Sequence, residues 1–156
     1  IKYGNTLFDL TDEDQFELRS IYEGIKLPQR GTKGSSGYDF YIPIDITITP
    51  DEYVLMPTGI RFVTDREDVV LMIYPRSGLG FKYGMRLKNT VGIIDADYQN
   101  ADNEGHIMAK FSTESATTLS QGDAFCQGVI TQFLITTDDD EIQKAKRTGG
   151  FGSTTK

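Results

Sequence analysis

Sulfur, tryptophan and positive charge are scarce in this chain of 156 residues. Cys126 is its single cysteine, which excludes a disulfide within one chain and predicts a reducing, cytoplasmic compartment. Lys and Arg number 16 against 23 Asp and Glu, a net charge of −7. With no basic block, the chain is not expected to bind nucleic acid or an anionic membrane. No apolar run approaches the ~20 residues that cross a bilayer.

Apolar residues are present as short runs between turn formers, and 16 glycines add to the turns. The run "VVLMIY" predicts a strand that is buried on both faces. "FELRSIY" (16–22) and the segment 52–63 predict further strands, the latter as two short strands around Pro57. Only "SGLGFKYG" (77–84) predicts a helix. Many short strands with frequent turns indicate an all-β sandwich or jelly roll with one short helix.

The chain divides into one β domain at residues 1–137, with a polar N-terminal arm, and a flexible tail at residues 138–156. The tail carries "KRTGGFGSTTK", where glycines allow backbone N–H groups to close around a phosphate chain. Phe151 is placed to cover a nucleobase, and such a tail would order over a ligand as a lid. The alternative is a frayed, glycine-rich terminus.

Two internal segments carry candidate chemistry. In "YPRSGLG", Arg76, Ser77 and Gly78 open the predicted helix, whose free N–H groups suit a phosphate. An ordinary helix start with Ser77 as N-cap is the alternative. In "NTVGIIDADYQ", Asp95 and Asp97 are expected on one strand face, where a carboxylate could orient water or approach a metal. The alternative is a solvated strand end.

Smaller signals add four residues. Asp39 follows the flexible loop in "GSSGYDF" and is a candidate contact for hydrated Mg²⁺ or a turn cap. Gln127 is a candidate phosphate donor or a solvent-facing strand residue. His106 is interpreted as a strand-face residue and Cys126 as a small core hydrophobe.

Five segments in this order, "GSSGYDF", "PRSGLG", "NTVGIIDADY", "GDAFCQ" and "GGFGST", resemble the trimeric dUTPase family, bacterial or phage-like branch. The resemblance covers the chain from about Phe16 onward. It implies a distorted jelly-roll or β-clip subunit in a homotrimer with three shared sites. It also implies hydrolysis of dUTP to dUMP and pyrophosphate with Mg²⁺, which keeps uracil out of DNA and supplies dUMP for thymidylate synthesis.

The resemblance also implies a role for each matching residue. Asp95 would activate the attacking water, and Tyr98 would pack under the deoxyribose and exclude a 2′-hydroxyl. Uracil would be read by the hairpin at Asn89, Gly92 and Ile94. Asp39 would contact Mg²⁺ through water. The remaining expected substrate contacts, to phosphates or through the lid, are Arg76, Ser77, Gly78, Gln127, Lys146, Arg147, Phe151, Gly152, Ser153 and Thr154.

Some positions depart from the family pattern. Ala124 stands where the fourth segment usually has a basic residue. Lys146 has the place of the usual tail arginine, with Arg147 one position nearer the glycines, so either cation is a candidate for the γ-phosphate. Thr155 replaces a glycine, and the turn after Tyr98 is stretched to "DYQNADNEG".

Two alternatives remain beside this reading. The dCTP deaminases share the fold, but they need an acid/base group at the base ring, and the five segments do not supply one. Some phage dUTPases also bind a repressor protein. The acidic arm at residues 1–14 and the "NADNEG" segment are candidate surfaces for such a regulatory partner, or ordinary solvated loops.

Overall fold

The computed structural model describes residues 2–3, 6–7 and 11–150, with side chains described for 11–139 and 141–150. The strands are β1 Lys2–Tyr3, β2 Thr6–Leu7, β3 Gln29–Arg30, β4 Tyr38–Tyr41, β5 Ile46–Ile48, β6 Val54–Arg61, β7 Val69–Pro75, β8 Arg86–Leu87, β9 Gly92–Asp95, β10 His106–Ser112, β11 Thr117–Leu119 and β12 Ala124–Gln132. The α-helices are α1 Asp12–Glu23 and α2 Ser77–Tyr83, and 3₁₀ turns lie at Ala96–Asn100 and Asp139–Glu141.

Two sheets enclose the core. One has the strand order β3-β4-β12-β7-β9 and the other β6-β10-β8, and two further two-stranded pairs are β11-β5 and β1-β2. Phe125 of the first sheet and Phe111 of the second are fully buried, and their ring centroids lie 5.5 Å apart. The sheets therefore pack face to face through large apolar side chains, which confirms the all-β, jelly-roll class.

The apolar run "VVLMIY" forms the expected buried strand. β7 lies between β12 and β9 in the five-stranded sheet, and Val69, Leu71 and Ile73 are buried. A polar side chain on a strand that is covered by its neighbours would be removed from water, which explains why the run is apolar throughout. β7 is the strand from which both halves of the candidate site extend.

The strand predicted at residues 16–22 is wrong, because this segment lies within α1. Thr11 and Asp14 form a reciprocal capping box at its start, and three acidic residues occupy its first turn. These features favour a helix N-terminus and outweigh the partial alternation of apolar residues. The Thr11 hydrogen bonds lower the pKa of Asp14. The described fold therefore contains two α-helices, where one short helix was expected.

The two short strands expected around Pro57 are also a wrong prediction. β6 continues through Pro57 for eight residues, with Met108 of β10 opposite the proline. β6 lies at the edge of its sheet, where the missing N–H of a proline is tolerated.

In the described part of the chain, no helix combines the length and apolar character that a bilayer crossing requires.

Candidate active site

The first, second and fourth segments meet at one end of the five-stranded sheet. Asp39 of β4 lies directly opposite Gln127 of β12, and Arg76 follows the last residue of β7. The guanidinium Nε of Arg76 is 3.4 Å from Oδ1 of Asp39, and Gln127 Nε2 donates to the carbonyl of Pro75 at 3.5 Å. We call this cluster of Asp39, Arg76 and Gln127 the phosphate-side cluster.

α2 begins beside the phosphate-side cluster. Its N-cap is Arg76, in extended conformation and without a side-chain capping bond, so the alternative in which Ser77 caps the helix is wrong. Ser77 is instead the first helical residue. A Cβ added to Gly78 would meet no heavy atom within 4 Å, so open space adjoins this turn. The Arg76 side chain is half exposed, which leaves donors free to face an anion.

The third segment lies at the opposite edge of the sheet. β9 pairs with β7, and the turn before it contains Thr90 at φ +67° and a 2.7 Å hydrogen bond from Val91 N to Asn89 O. Asn89, Gly92, Ile94 and Tyr98 line one cleft of about 680 Å³. The residues expected to read uracil and sugar are therefore brought together.

Asp95 and Asp97 do not share a strand face, contrary to the sequence prediction. β9 ends at Asp95, and Asp97 lies in the 3₁₀ turn that follows. Arg147 nevertheless joins them: its Nε donates to Asp97 Oδ1 at 2.7 Å, and its Nη2 donates to Asp95 Oδ2. One guanidinium thus offsets the repulsion between two carboxylates that the sequence places two residues apart.

Tyr98 forms the floor between these carboxylates and the tail. Its side chain is buried, and the guanidinium carbon of Arg147 lies 5.8 Å from the ring centroid. A Cβ added to Gly150 would be 2.7 Å from Cε2 of the ring, so only a glycine permits this approach. The tail backbone therefore rests directly on the tyrosine.

The tail is also tied down by its backbone, because Asp102 N donates to Thr148 O at 3.1 Å. Of the two candidate tail cations, Arg147 is mostly buried against the carboxylates and Lys146 is exposed. The expected contacts at Phe151, Gly152, Ser153 and Thr154 lie outside the described residues.

The two halves of the site are far apart within one chain. Asp95 pairs with Val70 near the start of β7, whereas Arg76 follows its end. The two positions are six residue steps apart along the strand, which corresponds to roughly 20 Å. Asp95 and Arg76 of one chain are therefore too far apart to act on adjacent atoms of one nucleotide.

Sequence reasoning missed Asn103 beside Tyr98, and it gave His106 only as a strand-face residue, which His106 is as the first residue of β10. Asn103 Nδ2 donates to the Tyr98 hydroxyl at 2.7 Å, and the hydroxyl donates to the carbonyl of His106 at 3.1 Å. The imidazole Nε2 of His106 accepts from Gly59 N at 2.9 Å, and burial lowers the pKa of His106. The glycine of "NEG", at φ +75°, was the available sign that this segment folds tightly.

Acidic residues do not cluster as a metal-binding set in the described residues: no group of three or more His, Cys, Asp or Glu side chains is placed to hold a metal ion. Asp39 is the expected carboxylate, and it already pairs with Arg76. Mg²⁺ commonly keeps several waters and takes one or two carboxylates plus substrate phosphates. The donor set fits an ion that arrives with a triphosphate and contacts Asp39 through water.

The two packed sheets and the cleft beside β9 define a jelly-roll protein with a ligand-sized pocket. Comparison with known proteins identifies its family. A family model described as dUTPase matches residues 23–155, so the chain belongs to the dUTPase family. The deoxyuridine 5′-triphosphate nucleotidohydrolase of Lactococcus lactis subsp. lactis is 39% identical over 144 residues, covering 89% of this chain and 95% of the relative. That of Hydrogenovibrio crunogenus is 39% identical over 138 residues, covering 83% and 87%.

Solved structures agree with this assignment. The crystal structure of dUTPase from Streptococcus mutans has a TM-score of 0.64 and 37% identity, covering 73% of this chain and 90% of that chain. A mutant dUTPase from phage phi11 of S. aureus, which coordinates a structural Mg(II) ion, has a TM-score of 0.63 at 18% identity, covering 80% and 92%. The phage likeness supports the fold alone.

Proposed function

We propose that this chain is a dUTP diphosphatase that hydrolyses dUTP to dUMP and pyrophosphate in a homotrimer whose sites combine different subunits. Membership of the dUTPase family supports the reaction. The observation that carries the shared site is the separation of roughly 20 Å between Asp95 and Arg76 along β7. A second subunit must bring its phosphate-side cluster to the Asp95 of the first.

The nucleoside would occupy the cleft of the third segment. Asn89 and the backbone at Gly92 and Ile94 would pair with the uracil edge, in the cleft that these residues line with Tyr98. Tyr98 would lie under the deoxyribose and leave no space for a 2′-hydroxyl. A thymine methyl group would clash with the same hairpin.

Asp95 would act as the general base that orients and deprotonates the attacking water, help that is typically worth ~10²–10⁴-fold. In the described chain its carboxylate is engaged by Arg147, so this cation must be displaced when water takes its place. The triphosphate offers Arg147 a more highly charged partner. The same movement would free Asp95 and bring a cation to the phosphates.

The phosphates would be held by the phosphate-side cluster and the start of α2. Arg76, Ser77 and Gln127 supply donors, and open space at Gly78 allows close approach of an oxygen to the backbone. When bound with the triphosphate, Mg²⁺ offsets phosphate charge and orients the chain of phosphates. Asp39 would hold one of the waters of that ion, while Arg76 turns from Asp39 to the phosphate.

The tail would complete the site as a lid. In this proposal residues 1–137 form the β domain and residues 138–156 form the tail. Arg147 and Gly150 contact the third segment, and Thr148 accepts from Asp102 just beyond it. These contacts support a tail that recognises this surface. Phe151 and Gly152 would cover uracil, and Lys146, Ser153 and Thr154 would contact the outer phosphates. Exclusion of bulk water would strengthen each of these charge interactions.

The assay that tests the proposal is pyrophosphate release from dUTP, compared with dCTP, dTTP and UTP, with mass in solution measured on the same sample. We expect strong preference for dUTP and a trimeric mass in a cytoplasmic-type reducing buffer with Mg²⁺. Release of ammonia from dCTP would instead support the deaminase alternative. An active monomer would contradict the shared site.

A regulatory protein partner is a second proposal, and α1 favours it. All of this helix except Glu23 precedes the residues that match the family, and Phe16 and Tyr22 are 77% and 72% exposed. Asp12, Glu13 and Asp14 add negative charge to its first turn. Retention of a repressor-type protein by the full chain, but not by a chain without residues 1–22, would support it. Equal retention with and without a non-hydrolysable dUTP analogue would contradict control by nucleotide.

A further inference from the structure

The hydroxyl of Tyr98 is held from two sides by the segment that follows it. We call residues 99–105 the excursion, the stretch in which this chain is longer than the family pattern. The hydroxyl accepts from Asn103 Nδ2 at 2.7 Å and donates to His106 O, just beyond the excursion, at 3.1 Å. Both hydrogen-bonding roles of the phenol are therefore used within eight residues of chain.

The excursion fixes Asn103 in turn. Asn103 Oδ1 accepts from Gly105 N at 3.2 Å, so the carboxamide is held at both its donor and its acceptor end. Glu104 N donates to Ala101 O at 2.7 Å, which closes the turn. Gly105 has φ +75°, and a Cβ there would be 2.8 Å from Gln99 Cα. The turn depends on a glycine, and through that turn the carboxamide reaches the ring.

We propose that Asn103 is a positioning residue for discrimination between deoxyribose and ribose, acting through the Tyr98 hydroxyl. A tyrosine ring has two torsions, and anchoring its far end removes the tilt that would open space for a 2′-hydroxyl. Without Asn103 the hydroxyl keeps one partner, His106 O, and the ring gains freedom. The inference rests on the proposed function, in which Tyr98 packs under the sugar.

The excursion couples this role to the tail. Asp102, the residue before Asn103, donates its N–H to Thr148 O, and Gly150 lies against the ring that Asn103 anchors. The excursion thus holds both the Tyr98 ring, on which the sugar would pack, and the backbone of the tail. The longer turn supplies a second anchor for the ring.

The test is a double-mutant cycle with Asn103→Ala and Tyr98→Phe, read as the ratio of kcat/KM for dUTP to that for UTP. We expect Asn103→Ala to lower this ratio by about tenfold. Because Asn103 acts through the hydroxyl, Asn103→Ala should cause no further loss in the Tyr98→Phe background. A merely structural role would lower both activities together and would leave the ratio unchanged.

Two further variants keep the test sharp. Asn100→Ala removes an exposed asparagine of the same excursion and should leave the ratio unchanged. Asn103→Asp keeps the acceptor for Gly105 N and so the turn, but removes the donor to the Tyr98 hydroxyl. That hydroxyl can then donate to the carboxylate or to His106 O but accepts from neither, so one of its two hydrogen bonds is lost and the ratio should also fall. Thermal midpoint and mass in solution establish that each variant is folded and assembled.

The outcomes separate this inference from the proposed function. A wild-type chain that cleaves dUTP, with ratios in Asn103→Ala and Asn103→Asp within about twofold of wild type, overturns the role of Asn103 and leaves the proposed function intact. An equal loss in both backgrounds of the cycle also overturns it. A wild-type chain with no preference for dUTP over UTP contradicts both proposals.

Discussion

The guanidinium of Arg147 donates a hydrogen bond to the carboxylate of Asp95, which lies 52 positions earlier in the chain. The contact joins a tail cation to the residue that is the best candidate for activating water. It also distinguishes the two adjacent tail cations, because Arg147 is paired with Asp95 and Lys146 is exposed. The candidate base is thus held in an ion pair with the tail.

Arg147→Ala should lower dUTP turnover by about 10²-fold or more, because one preorganised donor at a developing phosphate charge is worth about that factor. Lys146→Ala should cost less, and steady-state kinetics of both variants measures the difference. Lys144→Ala, which removes a cation paired with Asp139 in the same tail, is the matched control. A larger loss in Lys146→Ala would assign the γ-phosphate to the lysine.

Asp95→Asn should keep nucleotide binding and lose at least about 10²-fold in turnover, since an amide cannot accept a proton from water. Calorimetric titration with a non-hydrolysable dUTP analogue measures binding, and pyrophosphate release measures turnover. Asp97→Asn is the matched change on the neighbouring carboxylate and should cost less. Near-normal turnover in Asp95→Asn would remove it as the base.

Two inactive variants should restore activity when mixed, because the proposed site takes Asp95 and Arg76 from different subunits. Asp95→Asn and Arg76→Ala chains, unfolded together and refolded, would form mixed trimers in which some sites contain both wild-type residues. The refolded mixture should hydrolyse dUTP well above either variant refolded alone. No gain in a mixture shown by mass to contain mixed trimers would place both residues in one subunit's site.

Gly128→Ala should lower the free energy of unfolding by about 1–3 kcal/mol, the usual effect of overpacking a core. A Cβ at this position of β12 would be 2.8 Å from Leu71 Cδ1 and 2.9 Å from Phe40 Cε2. Gly34→Ala is the matched control, because its Cβ would meet no atom within 4 Å. Denaturant unfolding measures both, and equal stabilities would contradict the tight approach of these strands.

Acid should destabilise the chain through His106. Burial lowers its pKa below the usual 6.5, and its Nε2 must be unprotonated to accept from Gly59 N. The unfolded chain therefore binds the proton first, and stability is full above about pH 6.5 and falls as pH drops below it. Thermal midpoints at about pH 7.5 and pH 5.5 measure the loss. His106→Gln, which does not titrate, should show a smaller loss, and an equal loss would exclude His106 as the cause.

The strands were predictable where one signal dominated. The run at 69–74 has β-branched and apolar residues throughout and became β7, an inner strand of the five-stranded sheet. The prediction for residues 16–22 was wrong because their alternation is imperfect and the Thr11–Asp14 capping box lies just before this segment. The predicted break at Pro57 was wrong because a proline is compatible with a strand at a sheet edge. Whether a strand lies at an edge is a property of the whole sheet.

The candidate site was predictable in its parts but not in its connections. The grouping of Asp39 with Arg76 and of Asn89 with Tyr98 agrees with the expected segments. The link from Arg147 to Asp95 joins residues that no local pattern relates, and the expectation that Asp95 and Asp97 share a strand face was wrong because the strand ends at Asp95. The part proposed for Asn103 depends on the folded shape of a seven-residue turn.

Cys126 lies in β12, between β4 and β7, and it is 1% exposed. Burial raises the pKa of its thiol, so the folded sheet presents no reactive thiolate to solvent. Alkylation by a maleimide then requires β12 to separate from its neighbours. The chain thereby contains its own kinetic reporter, in which the labelling rate of one native sulfur measures how often the centre of the sheet opens.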